Sequence, residues 1–316
     1  MQKYKGQKIS ENADLKKEKQ YPMELVEDIF NVQVRVNDPY TINNEVIVSN
    51  LEWGDEEMEV TTPNYNPFEV EYLFEKVARV DLTSHKSILK FCNKYGTFNA
   101  IDTMPFYYGL RLLDCKKQPL DEFIYHAKEI KHIMHIYHAL ISINEDSLQE
   151  HAEKIKTDLQ EIAPYLNPND KDIFQLSKMW ITLKINKETE GVISESGKIG
   201  KNNKIIKIHT SRSIIGVIYH QLLDLVSNEW ELKECIKCKS KFVPRTENSR
   251  FCPHDEAGKD SLCKTAYNQW IRNARKDYFS GKKTIEQIAK QKKRPLAEVE
   301  SWFESVDKEK WLKKYQ

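Results

Sequence analysis

A chain of 316 residues, 40% apolar and 31% charged, holds enough apolar mass to bury a core and too much to stay disordered. No apolar run approaches the roughly 20 residues that cross a bilayer, and the opening MQKYKGQKISENADLKKEKQ has no apolar centre, so no membrane partner and a cytoplasmic location are expected. The net charge of +1 is uneven: from Glu231 onward there are 21 Lys+Arg against 13 Asp+Glu, whereas the preceding 230 residues carry a net −7. A basic C-terminal part on an acidic body points to a polyanionic partner, with two halves that attract each other as the competing reading.

Residues 1–20 read as a mobile tail, followed by a mainly helical domain over 21–230 with a small β element at its start. In that element VQVRV and EVIVSNLEW are β-branched or alternating and are separated by the turn signals NDP and INN. From Pro67 the pattern becomes helical, and SHKSILKFCNKYG places Gly96 where a helix would end. The segment 120–143 reads as one long helix, with Phe123, Ala127, Ile130, Met134 and Tyr137 at helical spacing. Helices are expected over 147–165 and 170–186, then a hairpin over 187–209 with Gly197 and Gly200 near its turn. Ser213 is placed to cap a helix that leads into the cysteine-rich part.

Four of the six cysteines lie within 29 residues, spaced Cys235-x2-Cys238-x13-Cys252-x10-Cys263. In a reducing compartment such clustering favours a metal over disulfides, and a Cys-x-x-Cys turn supplies two of the four thiolates that tetrahedral zinc takes. The expected cofactor is one structural Zn²⁺ within a module over 231–283, Cys263 being the first-turn ligand of the following helix. His254, two residues past Cys252, is an alternative ligand. Cys92 and Cys115 sit in apolar surroundings and read as core thiols.

The helix after Cys263 divides its faces. Tyr267, Ile271, Ala274 and Tyr278 form an apolar stripe, while Lys264, Asn268, Arg272 and Arg275 form a basic one. With Lys241, Arg245 and Arg250 of the knuckle, the cations Lys264, Arg272 and Arg275 are candidates for nucleic-acid phosphates, with an ordinary solvated face as the competing reading. The tail over 284–316 resembles a helix-turn-helix. Thr284 and Gln287 fit a capping box, and Pro295 opens a second helix with Leu296, Val299, Trp302 and Phe303 inward. Glu298, Glu300 and Glu304 on that second helix would repel phosphate.

The run from NPFEVEYLFEKVARVDLTSHKSILKFCNKYGTF to ECIKCKSKFVPRTENSRFC resembles bacterial proteins with an ABATE-like helical region and a CGNR-type zinc finger, over roughly residues 60–280. The resemblance implies a stress-responsive transcriptional regulator, zinc on the four cysteines, and Phe242 packed on the knuckle. The family's Cys-Gly-Asn-Arg run is absent; Cys263-Lys264-Thr265-Ala266 stands in its place.

Catalytic signatures are sparse. No phosphate-cradling glycine loop, HExxH or nucleophile elbow occurs. Glu129 and His132 make one Glu-x-x-His step in a helix that also carries His126, His135 and His138, but a di-metal bundle needs a second such step. The sequence thus predicts a mainly α fold with a zinc-knuckle module and a helix-turn-helix-like tail, and a zinc-dependent nucleic-acid-binding protein rather than an enzyme. DNA is favoured over RNA as partner, with an RNA-binding protein of phage or defence type and a protein-interaction adaptor as alternatives.

Overall fold

The computed structural model describes residues 32–36, 39–49, 65–99, 101–102, 111–115, 117–168, 171–190, 193–199, 205–211, 213–254, 259–304 and 306–315. The expected tail over 1–20 and Gly200 lie outside them. The chain divides into two compact units. The first runs to Lys233 and includes residues 240–249; the second comprises Glu234–Lys239 and everything from Arg250 on. The fold is mainly helical, as the sequence predicts, with a small β element near its start.

That element is two small sheets. In one, β1 (Val32–Val36) runs parallel to β5 (Arg111–Cys115), and β4 (Ile101–Asp102) pairs antiparallel with β5. In the other, β2 (Tyr40–Asn43), β3 (Val46–Ser49) and β6 (Lys117–Pro119) form an antiparallel ladder. Helices α1 (Leu73–Ala78) and α2 (His85–Tyr95) follow the first strands. The Ser84 hydroxyl accepts from the Ser87 amide at 3.3 Å to start α2, and Gly96 ends it at φ 81°, where a side chain would be strained.

The long helix α3 (Leu120–Ile141) forms as its periodicity predicts, with Phe123, Ala127, Ile130, Met134 and Tyr137 all buried. The expected single helix over 147–165 is instead α4 (Glu145–Gln149) and α5 (Ala152–Ile162), broken at Glu150–His151. No proline or glycine marks the break; the His151 ring packs against those of His132 and His135, with centroids 4.8 and 5.1 Å away. Next, α6 (Ile173–Thr189) starts at Asp172, whose carboxylate accepts from the Gln175 amide at 2.9 Å. The hairpin consists of β7 (Ile193–Ile199) and β8 (Ile205–Ser211). Gly197 lies in β7 opposite Lys207, two residues before that strand ends. Ser213 caps α7 (Ile214–Ser227) through the Gly216 amide at 3.1 Å.

Two buried polar side chains tie distant parts of this unit together. Gln221 of α7, 2% exposed, accepts from the Leu73 amide at 2.7 Å and donates to the Val70 carbonyl at 3.0 Å. Glu75 of α1 is fully buried; it accepts from Arg79 and from the Val243 amide, both at 2.6 Å. Burial raises its pKa, and those partners limit the rise. Arg245 meets Glu71 at 2.7 Å. Residues 240–249, though they lie between Cys238 and Cys252 in sequence, are therefore fastened to the helical unit.

The second unit has its own core around α8 (Leu262–Phe279), α9 (Ile285–Lys292) and α10 (Leu296–Ser301), followed by α11 (Lys308–Tyr315). Tyr267 and Ala274 of α8 meet Ile288 and Ala289 of α9, with Val299 and Trp302 of the α10 segment. The capping box forms as its sequence predicts: Thr284 accepts from the Gln287 amide at 3.4 Å, and Gln287 accepts from the Thr284 amide at 3.0 Å. Two expectations are corrected. Leu296 is 42% exposed rather than inward, because Pro295 starts the helix and leaves the first turn at the surface. Tyr278 is 39% exposed, with its ring beside those of Phe303 and Phe279 at centroid distances of 4.7 and 5.6 Å.

Candidate metal centre and basic helix

The four cysteines converge. The sulfurs of Cys235, Cys238, Cys252 and Cys263 all lie within 4.8 Å of one another, and among the described residues no other group of histidine, cysteine and carboxylate side chains could hold a metal in this way. Three local devices bring them there. Cys235 and Cys238 stand on one tight turn, in which the Lys239 amide donates to the Cys235 carbonyl at 2.9 Å, with Lys239 left-handed at φ 64°. Cys252 is brought alongside by a backbone bond from the Ile236 amide to the Arg250 carbonyl at 3.1 Å. Cys263 is the second residue of α8, whose start is fixed by the Ser261 hydroxyl accepting from the Lys264 amide at 3.2 Å.

The sulfurs of Cys238 and Cys252 are 3.9 Å apart, far beyond the roughly 2.05 Å of a disulfide. Burial, reinforced by the charges of Cys238 and Cys235, pushes the Cys263 thiol up to about 11. Thiols this close repel as thiolates and ionise together around a cation, which is what a metal supplies. His254 is half-buried and does not join the set. Cys92 is buried in the helical core, as its surroundings predict; the side chain of Cys115 lies outside the described ones.

The basic candidates are dispersed by role. Lys264 and Arg272 are exposed on α8, with Lys264 3.4 Å from Asp260. Arg275 is half-buried and donates from Nε to the Trp302 carbonyl at 2.8 Å, which ties α8 to the end of α10. Arg250 is exposed beside Cys252 in the second unit. Lys241 and Arg245 belong to the first unit, where Arg245 is engaged with Glu71. Of the three acidic residues expected on the exposed face after Pro295, Glu300 and Glu304 are exposed, but Glu298 turns inward. It accepts from the Tyr267 hydroxyl at 3.0 Å and lies 3.8 Å from Arg294.

The exposed positions of α8 from Lys264 to Lys276 are Lys264, Thr265, Asn268, Gln269, Arg272, Asn273 and Lys276, with no carboxylate among them. The spacing argument picked out Lys264, Asn268 and Arg272 but not Lys276 or the rest of this polar face. It also did not place Trp270, a half-buried α8 residue whose ring is approached by Lys237, Lys292 and Arg294. No periodicity signals that gathering, because its members come from the knuckle, from α8 and from the end of α9.

The histidine helix resolves differently. His126, Glu129, His132 and His135 recur at every third residue of α3 and so wind around the helix rather than share one face; Glu129 is held by lysines, Lys184 at 2.9 Å and Lys154 at 3.2 Å. Asp158 completes the network, 2.9 Å from Lys154 and accepting from the Trp180 indole at 2.9 Å. Burial opposes ionisation of Glu129, and the two lysines overcome it to hold its pKa below the ordinary carboxylate value. Both oxygens of this carboxylate are thus engaged by ammonium groups, Oε1 by Lys154 and Oε2 by Lys184.

Comparison of the chain with family models, with curated proteins and with solved structures finds no match. Among the described residues no helix is long and apolar enough to cross a membrane.

Proposed function

We propose that this protein is a zinc-dependent DNA-binding protein, a transcriptional regulator that presents α8 to duplex DNA. The observation that carries the reading is the exposed face of α8. Over three and a half turns it offers cations, amides and a hydroxyl without one carboxylate, and its first turn is anchored by Cys263. Arg bonds guanine edges and Asn or Gln adenine edges in the major groove, while Lys and Arg neutralise phosphates. The carboxylates of Glu300 and Glu304 argue for α8 rather than α10 as the element that meets DNA. The resemblance to CGNR-type regulators agrees with this reading.

Zinc is the metal that suits the donors. Four thiolates select a soft or borderline ion, and a Zn–S bond of about 2.3 Å in a tetrahedron sets sulfurs about 3.8 Å apart. The Cys238–Cys252 separation of 3.9 Å fits that spacing. A closed four-sulfur set leaves no open coordination position, so the metal's role is structural and not catalytic.

The test is binding of labelled duplex DNA across a salt series. Each lost phosphate contact flattens log affinity against log salt by about 0.9, so Lys264→Ala with Arg272→Ala should flatten the slope by about 1.8 while metal content stays at one zinc per chain. Tighter binding of single-stranded RNA than of duplex would favour the RNA-binding alternative. A parent that binds neither would favour a protein-docking role for the module.

A further inference from the structure

Three cations surround the Trp270 ring: Lys237 Nζ at 5.1 Å from its centroid, Lys292 Nζ at 5.3 Å and the Arg294 guanidinium at 5.7 Å. They come from the Cys-x-x-Cys turn, from the last residue of α9 and from the turn after it. Arg294 is a structural charge. Its side chain is 7% exposed, lies 3.8 Å from Glu298, and donates to the Lys237 carbonyl at 2.9 Å, which fixes the backbone that carries Lys237.

Lys237 and Lys292 are of another kind. Both are half-buried, and no carboxylate of the described residues lies within ion-pair distance of either. Two ammonium groups, each about 5 Å from one ring centroid, are at most about 10 Å apart, a gap that flexible lysine side chains close around one phosphate. The ring's negative face offsets part of their mutual repulsion, and an anion would offset the rest.

We infer that Lys237 and Lys292, gathered at the ring of Trp270, form a phosphoryl-anion site. Arg294 is its positioning residue. The inference rests on the DNA-binding reading for the polymer that carries the phosphate, and it adds a backbone contact beside α8 that fixes the register of that helix on the duplex.

Two measurements on the full-length protein separate the site from that reading. In the first, a fluorescein-labelled duplex of arbitrary sequence is titrated across a salt series. Lys237→Gln with Lys292→Gln should flatten the salt slope by about 1.8 and weaken binding about tenfold or more at 0.1 M salt. A slope equal to the parent's would overturn the site. So would an equal loss in the charge-matched Lys308→Gln, Lys310→Gln variant of α11, because the effect would then belong to net charge alone.

In the second, pyrophosphate is titrated against tryptophan fluorescence. Parent emission should change, and the change should be lost in Trp270→Phe and in the double lysine variant. Unchanged parent emission would overturn the site. A fluorescence response in a parent that binds no duplex would keep the site and sink the DNA-binding reading instead.

Discussion

The two units handle charge in opposite ways. In the helical unit Glu129, Asp158, Lys154 and Lys184 sit among α3, α5 and α6, and each acid is matched by lysines at 2.9 to 3.5 Å. In the cysteine-bearing unit the apolar core is a few side chains around Tyr267 and Trp302, while α8 keeps a row of cations and amides facing outward. A large core can afford buried charges once they are paired. A small core can draw stability from elsewhere, and here four sulfurs lie close enough together to hold a metal.

The largest effect should come from breaking the sulfur set. Cys238→Ser should abolish metal binding and unfold the second unit, because structural zinc contributes on the order of 10 kcal/mol to the folding of such modules. Amide exchange read by mass spectrometry should show α8, α9 and α10 losing protection while α3 and α6 keep theirs. Equal loss in both units would mean that the metal stabilises the whole chain, and the contrast would fail.

A smaller loss is expected from Lys184→Met. It removes one partner of a buried pair and leaves Glu129 with Lys154 alone, a change worth about 3 kcal/mol in urea unfolding of the first unit. Zinc content should not move. A cost below about 1 kcal/mol would show that the network is solvated enough to be dispensable.

The smallest effect sharpens the comparison through pH. The His132 ring lies between His151 and Trp180, both at centroid distances of 4.8 Å, and burial followed by the charge of Lys154 lowers its pKa to about 4. A group whose folded pKa lies below its ordinary 6.5 is protonated more readily in the unfolded chain, so its contribution is intact above pH 6.5 and is lost as pH falls towards 4. At pH 5 the loss is about 2 kcal/mol. His132→Phe keeps a ring against Trp180 and should remove that part of the acid sensitivity, read as the fall in the first unit's melting temperature between pH 7 and pH 5. Glu129 and Asp158, with pKa values held down, lose their contribution only at lower pH, through and below the ordinary carboxylate range.

Local chemistry was legible in the sequence where one segment carries the whole signal. The α3 periodicity, the Thr284 box and the cysteine spacing each depend on residues close in the chain, and each forms. What stayed hidden depends on distant partners. The strands over 101–119 carry no strong strand pattern, and β1 finds its parallel partner 79 residues downstream, at Arg111. The break at His151 has no breaker residue, and the contacts of its ring are with His132 and His135 of α3, distant in sequence. The lysines that neutralise Glu129 lie on other helices, so a lone Glu-x-x-His step could not show in advance that its carboxylate is taken. The gathering of Lys237 and Lys292 at Trp270 is of the same kind.

The position of residues 240–249 has a consequence for how the cysteine-bearing unit could be inherited or moved. That unit is discontinuous: the chain leaves it after Lys239 and returns at Arg250, and in between it is bonded to Glu75 and Glu71 of the helical unit. A fragment beginning at Glu234 would carry Phe242, Val243 and Pro244, all buried in the intact chain, without the acids that hold their segment. Such a fragment should be sticky and prone to aggregate unless the excursion is replaced by a short polar turn. End-to-end fusion, the ordinary route by which domains spread between genes, would therefore work poorly for this one, and the two units are expected to travel together.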